Sequence, residues 1–220
     1  MERHTVIAED LFSAKAPRRV AVRVRGFVQG VGFRPHVWRL ARRHALTGHV
    51  LNDHEGVLAE VQGDAIDAFL RDLATEAPDL ARIDKIEVAP QPPISAEAAF
   101  EIRTSVRAGV ARTAIAADAC ICESCLAELF DPSSRRYLYP FLTCTHCGPR
   151  LTVARGLPYD RATTSLDRFP LCEACAAEYH DPANRRFHAE TTCCPACGPR
   201  LAMPLEEIAE RLARGEIVAV

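Results

Sequence analysis

The twelve residues "GFVQGVGFRPHV", positions 26–37, decide how the first half of the chain is read. Gly26, Gly30 and Gly32 fall within seven positions, and Arg34 and Pro35 stand at the start of an apolar-periodic run. Glycine admits positive φ and lets the backbone approach a ligand closely. Proline suits the first turn of a helix, where its missing N–H costs nothing. Successive backbone N–H groups ahead of a helix N-terminus make an anion site. An arginine fork beside them matches two oxygens of a phosphate or carboxylate. Spacing alone leaves a second reading open, in which the glycines serve loop geometry only.

Outward from this loop, RRVAVRVRG (18–26) alternates apolar and basic residues, the period of a half-buried strand. On the other side, PHVWRLARRHA (35–45) places Val37, Leu40, Ala41 and Ala45 on one helical stripe. TGHVLN (47–52) and GVLAEVQG (56–63) form the arms of a hairpin around a turn at Asp53–Gly56. DAIDAFLRDLATE (64–76) predicts a helix capped by Asp64. Ile83, Ile86 and Val88 mark a fourth strand, PQPP (90–93) a turn, and Phe100 and Ile102 a short last strand. The order β-α-β-β-α-β, with room for one extra edge strand, predicts an α+β fold: the split βαβ pattern of a ferredoxin-like sandwich over residues 18–107. Residues 1–17 read as a leader, and the alanine-rich 108–119 as a linker.

The second half repeats at a period of 50. Residues 122–151 and 172–201 are identical at 15 of 30 positions. The chain has ten cysteines, and eight form four Cys-x-x-Cys pairs. Cys122, Cys125, Cys144 and Cys147 have the spacing of a four-thiolate zinc site, and Cys172, Cys175, Cys194 and Cys197 repeat it. Closed four-sulfur shells leave no open position, so two structural Zn²⁺ ions are expected, with iron–sulfur, disulfide and redox roles as alternatives. Cys120 and Cys193 fall outside the ligand set and read as ordinary thiols. His146, His180 and His188 read as surface histidines, and the arginines of the DPxxRR segments (131–136, 181–186) as solvated turn residues.

A net charge of −2 provides no global basic field for nucleic acid or acidic lipid. No apolar run is long enough to span a membrane, and the N-terminus lacks a secretory h-region, so a cytoplasmic protein is expected. PLEEIAERLARGEIVAV at the C-terminal end reads as an amphipathic helix leading into a buried strand, the beginning of a further, truncated α/β domain (203–220).

The loop 26–34 resembles the acylphosphatase signature position for position, and Gly48 to Asn52 followed by Gly56-Val57 stands where that family's second signature falls. His49 replaces a usual aromatic and Leu51 a common basic residue. The resemblance implies that the backbone amides of Gln29, Gly30, Val31, Gly32, Phe33 and Arg34, with the Arg34 guanidinium, hold the phosphoryl oxygens of an acyl phosphate. It implies that the Asn52 amide orients the attacking water. A carboxylate leaving group makes positioning and charge stabilisation sufficient. Asparagine before Asp53 is also ordinary turn chemistry.

Together with "CLAELFDP…RRYLYPF…C..CGPR" and "RRFHAE…CPACGPR", the chain resembles the N-terminal part of the HypF-type carbamoyltransferases of NiFe-hydrogenase maturation, and "IAERLARGEIVAV" resembles the opening of their YrdC-like domain. The resemblance implies hydrolysis of carbamoyl phosphate to carbamate in the first domain. It implies adenylation with ATP and Mg²⁺ in missing downstream domains (the 120–202 zinc region lying between). It implies transfer to the C-terminal cysteine of a hydrogenase-maturation partner protein, with no nucleic acid or membrane partner. Two other readings stay open: a free-standing acylphosphatase with a zinc appendage, and a zinc-dependent interaction or nucleic-acid module with an inactive phosphate binder.

Overall fold

The computed structural model describes residues 18–107, 109 and 113–219; the leader expected over 1–17 lies outside them. The first half folds as β1 (Arg19–Phe27), α1 (Phe33–Arg43), β2 (Thr47–Asp53), β3 (Gly56–Gln62), α2 (Ile66–Thr75), β4 (Arg82–Gln91) and β5 (Phe100–Ile102). The sheet order is β4-β1-β3-β2-β5. β3 lies between β1 and β2 and runs antiparallel to both, so the β1-α1-β2 crossover is split by the hairpin's second arm. β5 adds the extra edge strand, parallel to β2.

The alternation in β1 sends Val20, Val22 and Val24 into the core, where they meet Val50, Val57 and Val61 of the hairpin. Val37 and Leu40 of α1, and Ile66, Phe69 and Leu73 of α2, close the other side of that core. The arginines between the valines face acids on neighbouring strands: Arg23 meets Asp53 at 2.5 Å and Arg25 meets Glu87 at 2.9 Å. This pairing tolerates a charged outer face on a central strand.

Two local expectations change. Asp64 does not cap α2: Ala65 occupies that position and Asp64 lies one residue outside it, too early to reach the orphan amides. The turn expected at 90–93 starts later, because β4 runs through Pro90 to Gln91. β4 is an edge strand that pairs only with β1, and an edge tolerates a proline.

The second half holds α3 (Glu123–Leu129), α4 (Glu173–His180) and α5 (Leu205–Ala213), joined by short 3-10 turns. Its cohesion comes from the repeat. The second arginine of each DPxxRR segment, expected in solvent, is buried instead: Arg136 is 1 % exposed and Arg186 3 %. Each reaches into the opposite copy. Arg136 pairs with Glu178 at 2.5 Å and donates Nε to the Cys193 carbonyl at 2.8 Å. Arg186 pairs with Glu128 at 2.7 Å and donates Nε to the Thr143 carbonyl at 3.2 Å. Glu128 and Glu178, and Thr143 and Cys193, are counterparts at the repeat offset of 50, so the two copies clasp each other reciprocally. A fork able to donate in several directions satisfies a buried carboxylate and a carbonyl together. Spacing in one copy carries little sign of this, since the shortest carboxylate contact and the carbonyl come from the other copy, while Arg136 reaches Glu128 of its own copy at 3.2 Å.

Residues 113–119, expected as linker, lie against the rest of the chain: Thr113 donates to the Gly26 carbonyl at 3.1 Å and Asp118 accepts from the Leu151 amide at 2.6 Å. Residues 216–219, expected as a strand, form none, and Ile217 is fully exposed. A lone strand has no ladder partner to hold it.

Candidate phosphate cradle and metal centres

β1 and α1 are joined by a loop whose two inner glycines adopt left-handed backbone, Gly30 at φ 74° and Gly32 at φ 73°. Gly32 is the residue ahead of α1 and adopts the left-handed conformation as the helix begins. The amides of Gly30, Val31, Gly32, Phe33 and Arg34 donate to no protein group among the described residues. A run of unsatisfied donors at a helix start is the backbone half of an anion site. The Gln29 side chain anchors the loop: its Nε2 donates to the carbonyls of Asp53 at 2.7 Å and Gly56 at 2.8 Å. Asn52, on β2, is 1 % exposed and its Oδ1 has no hydrogen-bond partner among the described residues. Asn52, Gly30, Gly32 and Arg34 line one cavity of about 20 Å³, the space of about one water.

The far wall of that cavity belongs to the cysteine region. A Cβ on Gly30 would lie 2.7 Å from Pro149 Cβ and 2.9 Å from Tyr159 Cδ1, so these glycines are needed for close packing as well as for φ. Gln29 Oε1 accepts from the Tyr159 amide at 2.9 Å, which ties the loop to the segment between the repeats. Arg34 Nη2 lies 2.5 Å from Glu190 Oε1 and 2.9 Å from Asp160 Oδ1, and its Nη1 donates to Ser105 Oγ at 3.2 Å. Burial pulls the Arg34 pKa down, but Glu190 and Asp160 outweigh it and the net shift is upward. Burial also pushes the Glu190 carboxyl up against the pull of Arg34. Both directions follow from two carboxylates sharing one cation in a dry site. Burial and Arg34 lower His188, beside them, to about 4, so its ring is neutral at neutral pH.

Tyr159, Asp160, His188 and Glu190 were not singled out from the sequence as parts of this site. The repeat held a signal. At the offset of 50, His188-Ala-Glu-Thr-Thr192 aligns with Leu138-Tyr-Pro-Phe-Leu142. Both copies keep the same backbone there, with positive φ at Leu138 and His188. The second copy became polar at the segment that faces Arg34.

The eight cysteines assigned by spacing form two clusters, with ligand atoms within 4.8 Å of one another in each. In the first, Cys122 and Cys144 sulfurs are 3.6 Å apart and Cys144 and Cys147 4.0 Å. In the second, Cys172–Cys194 is 3.7 Å, Cys194–Cys197 3.8 Å and Cys175–Cys197 3.6 Å. A tetrahedron with zinc–sulfur bonds of about 2.3 Å has sulfur–sulfur edges of about 3.8 Å. Disulfides require about 2.05 Å. The donor set and its size fit a zinc ion in each cluster, where it would cross-link loop segments that have little core of their own. His146 and His180 are exposed and outside both clusters. Cys193 is buried, in contact with the Tyr139 hydroxyl at 3.4 Å, and its thiol pKa is raised by burial.

Sheet order, glycine cradle and buried arginine define the first half as an acylphosphatase-type hydrolase domain, and residues 20–102 match the family described as Acylphosphatase. Residues 121–154 and 171–203 match the HypF finger. The chain belongs to the HypF family. It is 58 % identical over 203 residues to a Carbamoyltransferase HypF of Rhizobium leguminosarum bv. viciae, covering 92 % of this chain and 26 % of that protein. It is 54 % identical over 218 residues to a Carbamoyltransferase HypF2 of Cupriavidus necator, covering 92 % and 27 %. A solved structure of full-length HypF in a phosphate- and nucleotide-bound form superposes with a TM-score of 0.83 at 40 % identity, over 92 % of this chain and 28 % of that one. The chain thus spans about a quarter of the length of these relatives. An Acylphosphatase of Caldivirga maquilingensis is 39 % identical over 89 residues, 93 % of its own length. Among the described residues no helix is long and apolar enough to cross a membrane.

Proposed function

We propose that this chain binds an acyl phosphate in the loop 29–34 and hydrolyses it, with carbamoyl phosphate as the substrate. The observation that carries the reading is the convergence, on one cavity, of Gly30, Gly32, Phe33 and Arg34, whose amides donate to no protein group among the described residues, with the Arg34 guanidinium and the Asn52 oxygen. The amides and Arg34 neutralise the phosphoryl oxygens. Asn52 Oδ1 accepts one hydrogen of a water and aims its lone pair at phosphorus. The new P–O bond forms as the P–O bond to the acyl oxygen breaks. That electron pair leaves with the carboxylate, here carbamate, and the water's proton passes to the released phosphate. Charge stabilisation and orientation provide the acceleration.

The zinc ions would be structural, each held by its four cysteines, and would fix the wall that faces Arg34. In a longer HypF-type carbamoyltransferase, carbamate would pass to domains using ATP and Mg²⁺, and the carbamoyl group to the C-terminal cysteine of a partner protein in hydrogenase maturation, in the cytoplasm. The likeness to carbamoyltransferases over nearly the whole described chain favours this reading over a free-standing acylphosphatase. The domain division 18–107, 120–202 and 203–220 is part of the proposal.

The test is phosphate release from carbamoyl phosphate by the zinc-loaded chain, corrected for spontaneous decomposition, beside Asn52→Ala and Arg34→Ala. Turnover by the wild type and its loss in both variants is expected. No turnover above background would overturn the hydrolase assignment.

A further inference from the structure

The Arg34 site already holds an anion, and that anion is protein. The Glu190 carboxylate is 5 % exposed and fully partnered where it sits. It meets Arg34 Nη2 at 2.5 Å, accepts from the Arg161 amide at 2.9 Å, and accepts from the Tyr179 hydroxyl at 3.1 and 3.2 Å. Asp160 adds a second negative charge on the same nitrogen. The cavity on the loop side, shared with Gly30, Gly32 and Asn52, has room for about one water, not for a phosphoryl group with three oxygens. A larger one of about 280 Å³ borders Arg34, Asp160 and Glu190 beside Ser105, but neither Asn52 nor the loop glycines line it. A phosphoryl group added to this arrangement would place its charge beside two carboxylates that share one buried guanidinium. Like charges in a dry site repel strongly. Carboxylate and phosphate satisfy a guanidinium fork with the same geometry. On the loop side, space, charge and donor chemistry therefore allow one of the two anions at Arg34 at a time.

We propose that Glu190 is the resident anion of the Arg34 site and that a phosphoryl group enters the cradle by exchanging for it, displacing the 187–191 segment of the second cysteine unit. The proposal rests on the phosphate-cradle reading above and adds a determinant of that site from outside the acylphosphatase fold. Glu190 is a positioning residue here: it sets which anion Arg34 holds and couples occupancy to the cysteine region. A reporter is built in. Trp38 is the only tryptophan in the chain. It lies on α1, with its ring edge to face with Phe187, centroids 5.5 Å apart. Phe187 is three residues before Glu190, so a shift of the segment changes the surroundings of Trp38.

The experiment titrates inorganic phosphate into the zinc-loaded full chain, by calorimetry and by Trp38 fluorescence, for wild type, Glu190→Gln and Asp160→Asn. Glutamine and asparagine keep the shape and remove the charge. Exchange predicts that both variants bind phosphate about tenfold or more tightly, because the closed, carboxylate-occupied state no longer reduces the apparent affinity. It also predicts that phosphate shifts the wild-type Trp38 emission. Weaker binding in Glu190→Gln would mean that Glu190 orients Arg34 for phosphate, and would overturn exchange. Unchanged affinity with wild-type turnover intact would overturn exchange and leave the hydrolase reading standing. No phosphate bound by any of the three proteins, with no turnover, would remove the cradle itself.

Discussion

Arg34 Nη2 and Glu190 Oε1 lie 2.5 Å apart although 156 positions separate the two residues in the chain. One belongs to the first turn of α1 and the other to the second cysteine unit. The contact makes the surroundings of Arg34 a joint feature of the ferredoxin-like sandwich and the second cysteine unit.

Arg34→Ala should therefore do two things. It should abolish turnover, and it should destabilise the fold by about 3–5 kcal/mol, because Glu190 and Asp160 are left buried without their cation. Thermal unfolding of Arg34→Ala and of Arg34→Ala/Glu190→Gln separates the effects. The double variant should regain much of the lost stability and none of the activity. Arg34→Lys should also lose most turnover, since an ammonium cannot reproduce the fork.

Asn52→Ala should lower kcat by about a hundredfold or more through loss of water orientation, with phosphate affinity near that of wild type. A loss confined to KM would assign Asn52 to substrate binding instead.

Removal of zinc by a chelator should unfold residues 120–201, because a four-thiolate site contributes its metal-binding free energy to folding. The sandwich should persist, since Val22, Val50, Ile66 and Phe69 pack without help from the cysteines. Trp38 should lose its Phe187 contact and change its emission. Loss of all secondary structure by circular dichroism would show that the two halves fold together.

His188 should give the fold an acid-sensitive slope. Burial, reinforced by Arg34, lowers its pKa from 6.5 to about 4. Between those values the unfolded chain binds more protons than the folded one. The stabilisation by neutral imidazole is complete above about pH 6.5 and is lost as pH falls toward 4. Its size is on the order of 3 kcal/mol. Comparing Tm against pH for wild type and His188→Gln isolates it, because acid release of zinc affects both proteins alike. Parallel curves would refute the assignment.

Arg136→Met should destabilise the cysteine region by several kcal/mol, since it strips Glu178 and the Cys193 carbonyl of a buried donor. Thermal melts of the zinc-loaded protein test it. A change below about 0.5 kcal/mol would place Arg136 among ordinary surface residues.

The sequence by itself determined the local features. Period-two valines in 18–26, the glycine pair ahead of Arg34 and the hairpin around Asp53–Gly56 each act within a few residues, so the sandwich and the shape of its first loop were readable. The eight cysteines were readable for the same reason, because a Cys-x-x-Cys knuckle sets its own geometry and a four-sulfur shell needs two of them. The cap at Asp64 and the turn at Pro90 were misjudged by one or two residues, since neighbouring contacts decide where an element ends. The tertiary structure alone decided who pairs with whom across the chain. DPxxRR looks solvated in one copy; packing of the two copies, which brings Glu128, Glu178 and two carbonyls together, makes burial of Arg136 and Arg186 favourable. Likewise the sequence around Arg34 shows only its own loop and helix start. A buried guanidinium requires a counter-charge, and which carboxylate supplies it depends on how the second cysteine unit packs over the cradle.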